Sequence, residues 1–129
     1  MNGPVSEMMS KMVHSAYMED TIEIVEQDMN RHKLSSVPVV DKDNSVFGII
    51  SSGDLLRFNA EKKNPRNVRA WELCTYKPDA VSPDTPMKDV ARLMLSKRIH
   101  HVLVTDRNDL KGIVSTFDLL EHALAKLAA

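Results

Sequence analysis

Apolar residues recur at helical spacing twice along the chain, at Ile22, Val25 and Met29 and again at Met87, Val90, Ala91 and Met94. Steps of three and four residues place each set on one side of a helix, so each predicts an amphipathic helix whose buried face needs a sheet. Both starts carry capping signals. Asp20 stands as the cap of the first helix with Glu23 three residues on; in the second, Thr85 caps and Pro86 takes the first helical position, which requires no backbone donor. β-Branched runs follow, VPVV at 37–40 and VLVT at 102–105, each ending in an Asp-rich turn, DKDNS or DRNDL. They predict hairpins with FGIIS and KGIVS. Pro38, which has no N–H to give to a ladder, favours an edge or a strand start. DLLRF and DLLEHALAKLAA predict closing helices.

This order of elements occurs twice, and the letters recur with it. An offset of 65 residues carries Val25 to Val90, Met29 to Met94, Leu34 to Ile99, Val37 to Val102 and Asp41 to Asp106. One residue then drops out of a turn, and an offset of 64 carries Gly48 to Gly112, Ser51 to Ser115 and Asp54 to Asp118. An internal repeat decides the architecture ahead of any local signal. The chain therefore divides into repeat one at 6–59, a polar, basic linker broken by Pro65 at 60–69, and repeat two at 70–129. The fold class is α/β (α+β), each repeat a short sheet packed with two helices.

Composition narrows the function. With 17 basic and 18 acidic residues and a net charge of -1, no overall field draws the chain to nucleic acid or to an anionic membrane. The basic linker residues Lys62, Lys63, Arg66 and Arg69 read as a solvated hinge. A lone cysteine, Cys74, excludes an intramolecular disulfide and fits a reducing cytoplasm; its alignment with Met9 marks it as a packing residue. MNGPVSEMMSKM lacks the apolar core of a signal peptide, and no apolar run reaches membrane-spanning length, so the expected location is cytoplasmic, with no membrane partner. Four glycines, at 3, 48, 53 and 112, build no Gly-rich phosphate loop, and no nucleophile, base and orienter group together. An enzyme is not expected, nor a resident cofactor. His100 and His101, as strand neighbours, point to opposite faces and do not chelate one ion with His14 or His122, so no metal is expected.

GIISSGDLL at 48–56 and GIVSTFDLL at 112–120 hold the remaining chemistry. Ser-x-x-Asp ahead of Leu-Leu at a strand-to-helix junction is a capping box. The same geometry suits a nucleotide. Free N–H groups at a helix start attract a phosphate, while a carboxylate one turn in accepts both hydroxyls of a ribose diol, at about 1.5 to 3 kcal/mol for each charge-assisted bond. Sequence alone leaves both readings open.

These two segments resemble the Gly-hydrophobic-x-Ser/Thr-x-x-Asp signature of the cystathionine-β-synthase (CBS) domain. LSSVPVVD at 34–41 is similar to that family's second strand, and AVSPDTP at 80–86 to its approach to the first helix. The resemblance covers nearly the whole chain and implies two tandem CBS repeats related by pseudo-two-fold symmetry, a regulatory Bateman module. It implies clefts between the repeats for an adenine nucleotide or adenosyl ligand such as AMP, ADP or ATP. Each cleft would take its ribose Asp from one repeat and its adenine pocket from the other. One would combine Ser115 and Asp118 with Val13, Ser15, Leu34 and Ser35. The second would combine Ser51 and Asp54 with Pro78, Ala80, Ile99, His100 and His101. Gly53 and Phe117 stand where the family often has Lys or Arg before the Asp, which leaves phosphate neutralisation to His100, His101, Lys97 or Arg98. A homodimer is implied as well, with Leu119, Leu120, Ala123, Leu124 and Leu127 as a candidate face, and a regulated partner protein of unknown identity.

Overall fold

The structure, a computed structural model, describes residues 1–128. It separates into two compact units, His14–Pro78 and the pair of segments Met1–Val13 with Asp79–Ala129. In the first unit the order is β1 (Ala16–Tyr17), α1 (Ile22–His32), β2 (Ser36–Val40), β3 (Val46–Ser51), α2 (Ser52–Ala60), α3 (Ala70–Leu73) and β4 (Thr75–Tyr76). Its sheet runs β1-β2-β3-β4, with β1 parallel to β2 and the other pairs antiparallel. In the second unit a 3-10 turn at Val5–Glu7 joins β5 (Ala80–Val81), α4 (Met87–Lys97), β6 (His101–Asp106), β7 (Asp109–Ser115) and α5 (Thr116–Ala128). That sheet runs β5-β6-β7, and both expected hairpins, β2 with β3 and β6 with β7, are present.

The helical faces predicted from spacing are the buried ones. Ile22, Val25 and Met29 of α1 pack on Val37, Val39 and Ile50 of the sheet, with Phe58 of α2 closing the cluster. Val90 and Met94 of α4 pack on Val102, Val104 and Val114. Each such side chain contributes about 1.5 to 3 kcal/mol on burial. Both first helices end on a residue in the left-handed region, Lys33 and Arg98, each with φ of 53°. That turn delivers the chain directly into β2 and β6.

The helix starts differ from the sequence expectation. Thr21, not Asp20, caps α1, its hydroxyl accepting from the Ile24 N–H at 3.3 Å, while the Asp20 carboxylate accepts from the Tyr17 N–H at 2.9 Å. Pro86 itself is the cap position of α4, and the Thr85 hydroxyl lies 3.1 Å from that of Ser82. The first amides of a helix have no partner inside it. Here backbone carbonyls from elsewhere in the chain supply partners: the N–H groups of Ile22 and Glu23 donate to Val68 and Pro65, and those of Met87 and Lys88 donate to Gly3 and Met1.

Pro38 also departs from expectation, as the third residue of a strand with neighbours on both sides. The sheet tolerates it because β1 begins pairing only at Val39. At the equivalent place in repeat two, Leu103 donates its N–H to the Asp79 carbonyl at 3.1 Å, a bond that proline cannot make.

The compact units do not follow the sequence repeats, because the lead-in segments are exchanged. Residues ahead of Val13 belong with Asp79–Ala129, and the corresponding residues of repeat two belong with His14–Pro78. The exchange is reciprocal at the level of single bonds. Val5 N–H donates to Thr85 at 2.8 Å, and Ala70 N–H donates to Asp20 at 2.7 Å. Ser10 bridges Ile113 in one unit; in the other, Thr75 and Tyr76 pair with Ile49 and Gly48. Two glycines make room for these segments. A Cβ at Gly48 would lie 2.5 Å from Cys74 Sγ and 2.7 Å from the Thr75 carbonyl; one at Gly112 would lie 2.5 Å from Met9 Sδ and 2.9 Å from the Ser10 carbonyl. Cys74 and Met9 thus hold the equivalent packing positions that their alignment indicated.

Candidate functional site

Both Ser-x-x-Asp segments form complete capping boxes. Ser51 ends β3, and its hydroxyl accepts from the Asp54 N–H at 3.2 Å while Asp54 Oδ2 accepts from the Ser51 N–H at 2.8 Å. At the start of α5 the corresponding distances for Ser115 and Asp118 are 3.1 and 2.8 Å. Each carboxylate is therefore fixed, at a helix start where the dipole favours negative charge. The surroundings then diverge. Arg57, one turn along α2, donates to Asp54 Oδ1 at 2.5 Å, and the carboxylate side chain is 13% exposed against 72% for the arginine. One turn along α5 from Asp118 the residue is Glu121.

Register decides what stands beside each box in its own unit. Ser36 pairs with Ser51 across the β2–β3 ladder, and the Ser52 N–H and hydroxyl both donate to the Ser35 carbonyl. Directly opposed residues of an antiparallel pair project to the same sheet face. Ser36 is only 8% exposed, and its hydroxyl is buried without a hydrogen-bond partner. His101 occupies the same register position against Ser115, and Thr116 N–H donates to the His100 carbonyl. Burial, and then the neighbouring His100, push the His101 imidazole below its usual range, with Asp118 pulling the other way. Cys74 is pushed up, mainly by burial.

The remaining expected residues lie as follows. Leu34 and Ile99 follow the left-handed turns and pack, half-buried, on the cores of their own units. Half-buried Ser15 precedes β1, and Ala80 opens β5, paired with Leu103. Val13 and Pro78 are the last residues of their segments before the chain passes to the other unit. Three features went unrecognised in the sequence: the Arg57 partner of Asp54, the unpaired Ser36 hydroxyl, and a stack of His14 on His32 with ring centroids 4.0 Å apart. Of these, only the Asp54–Arg57 spacing carries a signal, a helical ion pair at three residues. On α5, Leu119 turns to the core while Leu120, Leu124 and Leu127 are exposed. Among the described residues no group of three or more His, Cys, Asp or Glu is placed to hold a metal, and no helix is long and apolar enough to cross a membrane.

Known proteins resemble this chain in sequence and in fold. A UPF0053 protein of Mycoplasma genitalium is 31% identical over 119 residues, covering 91% of this chain and 27% of that protein. Across three curated relatives the chain spans between 22% and 62% of their own length. The crystal structure of CBSX2 in complex with AMP superposes with a TM-score of 0.87 at 23% identity, covering 95% of this chain and 97% of that one. The CBS domain pair of protein MJ0100, in complex with 5′-methylthioadenosine and S-adenosyl-L-methionine, gives 0.87 at 25% identity, covering 98% and 99%. A family model of the CBS domain matches residues 5–61 and again 70–125, and the chain belongs to the CBS domain family, with two copies in tandem.

Proposed function

We propose that the chain is a regulatory module that senses an adenosine-containing ligand, AMP, ADP, ATP or a related adenosyl compound. The observation that carries this reading is the pair of fixed carboxylates, Asp54 and Asp118, each held by a serine N–H at a helix start. Binding of AMP by CBSX2, and of two adenosyl compounds by the MJ0100 pair, supports it. The ribose hydroxyls are assigned to Asp54 and Asp118, and the 5′ substituent to Ser51 and Ser115. Leu34 and Ile99 pack on adenine, with backbone near Val13, Ser15, Pro78 and Ala80 reading its edge. Ser35, His100 and His101 complete the set. A ligand shifts such a module only by preferring one of its shapes. Adenine nucleotides are abundant in cytoplasm, and the reading places the chain there.

A second reading, an interaction module without nucleotide, is favoured by the completeness of the caps, which need no ligand. Thermal unfolding in the presence of adenosine compounds decides. Ligand at about 100 times its Kd should add about 2.7 kcal/mol of stability. A melting point that no adenosine compound raises would leave the interaction module standing.

The exposed residues Phe117, Leu120, Leu124 and Leu127 recur at three- and four-residue steps along α5, and the reading assigns this stripe to a second copy of the chain. Sedimentation is expected to show a dimer that Leu124→Glu dissociates. A wild-type chain that stays monomeric at tens of micromolar would remove the assignment.

A further inference from the structure

We propose that the two boxes differ in the ligand charge they accept: the Asp54 box takes a phosphorylated adenosine, and the Asp118 box takes an adenosyl compound whose 5′ substituent is uncharged or cationic. The inference rests on the adenosyl-binding reading above and assigns a ligand class to each half of it. Asp54 and Arg57 together carry no net charge before any ligand arrives. A ribose diol that donates to Asp54 competes with the guanidinium for Oδ1. Once displaced, that guanidinium is exposed enough to turn toward a phosphate. Arginine suits the task, because its planar fork matches phosphate oxygens. The buried, unpartnered Ser36 hydroxyl is an independent sign of a ligand here. It lies on the same sheet face as Ser51, and a phosphate oxygen would give it the partner it lacks.

At the other box both supports are absent. Asp118 has Glu121 one turn away, where like charges already repel, and a phosphate would bring further negative charge. His101 stands where Ser36 does, and its burial favours the neutral ring, which offsets none of that charge. An uncharged thioether or a sulfonium meets no such penalty.

Calorimetry with AMP and 5′-methylthioadenosine as probes tests this on two single-box chains. Asp118→Ala, which keeps only the Asp54 box, should prefer AMP by about tenfold or more; Asp54→Ala should show the opposite preference. Adding Arg57→Gln to the first should weaken AMP by about tenfold, while 5′-methylthioadenosine, freed of the competition for Oδ1, should bind at least as tightly as before. Adding Glu121→Gln to the second should strengthen AMP. Where an alanine variant does not fold, the asparagine variant, which keeps an oxygen for the cap, takes its place. If either single-box chain binds both probes alike, or if Arg57→Gln leaves AMP untouched, the charge assignment is overturned while the adenosyl reading survives. A wild-type chain that binds neither probe, nor any other adenosine compound, overturns both.

Discussion

Gly48→Ala is expected to destabilise the fold by about 3 kcal/mol, at the upper end of what overpacking costs. The added methyl carbon would sit 2.5 Å from Cys74 Sγ and 2.7 Å from the Thr75 carbonyl oxygen. The thiol can yield, but the carbonyl belongs to the β3–β4 ladder, so relief requires displacing β4. Gly112→Ala should cost less, about 2 kcal/mol, because the flexible Met9 thioether absorbs part of the overlap and the Ser10 carbonyl stands back at 2.9 Å. Gly53→Ala is the control. Its Cβ meets nothing nearer than the Arg57 guanidinium at 3.5 Å, and inside α2 the change should stabilise by about 0.5 to 1 kcal/mol. Urea unfolding midpoints separate the three. Cys74→Ala in the Gly48→Ala background should recover only part of the loss, since the Thr75 carbonyl remains. Wild-type stability in Gly48→Ala would refute the close packing of the exchanged segment.

Asp54→Ala and Asp118→Ala are each expected to abolish one binding event while leaving a folded chain. Two hydrogen bonds from a ribose diol to a carboxylate, at about 1.5 to 3 kcal/mol each, exceed a factor of 100 in affinity. The folding cost is that of a cap, about 0.5 to 2 kcal/mol. At Asp54 the Arg57 pair adds little to this, because the arginine is largely solvated. Asparagine at either position separates the roles: its amide oxygen still accepts from Ser51 or Ser115, so the cap persists, while the charge that strengthens the diol bonds is gone. Calorimetry and unfolding curves run on the same samples provide the readout. Asparagine variants that bind as tightly as wild type would reduce both acids to caps.

The parts of the molecule governed by periodicity were legible in the sequence. Helical spacing identified the buried faces of α1 and α4, alternation and turn residues identified the hairpins, and the repeat offset aligned the two boxes. The exchange of lead-in segments was not, for a physical reason. Residues 1–10 and 65–76 bind through backbone carbonyls, through space left by two missing methyl groups, and through scattered apolar side chains such as Val5 and Ala70. None of these writes a periodic side-chain pattern along its own stretch. The caps show the same limit: once a remote carbonyl satisfies the Ile22 N–H, Asp20 is free to hold a turn, and the cap falls to Thr21. Pro38 was misplaced because edge character was judged strand by strand, whereas β1 leaves only part of β2 uncovered. In the site, the boxes were read correctly as geometry. The contrast between Arg57 and Glu121 was present in the letters but acquires meaning only once the carboxylates are fixed beside them.

Reciprocal exchange of the lead-in segments also sets an order of events during synthesis. Residues 1–13 leave the ribosome long before the segment that starts at Asp79 exists to receive them, so the unit they complete cannot close until that segment has been made. His14–Pro78 is contiguous and can close first, which makes the opening segment a waiting strand with apolar Val5, Met8 and Met9 uncovered. Nascent chains stalled just after His14–Pro78 has emerged should therefore be sensitive to protease within residues 1–13, and protection there should arrive only once the segment from Asp79 has emerged.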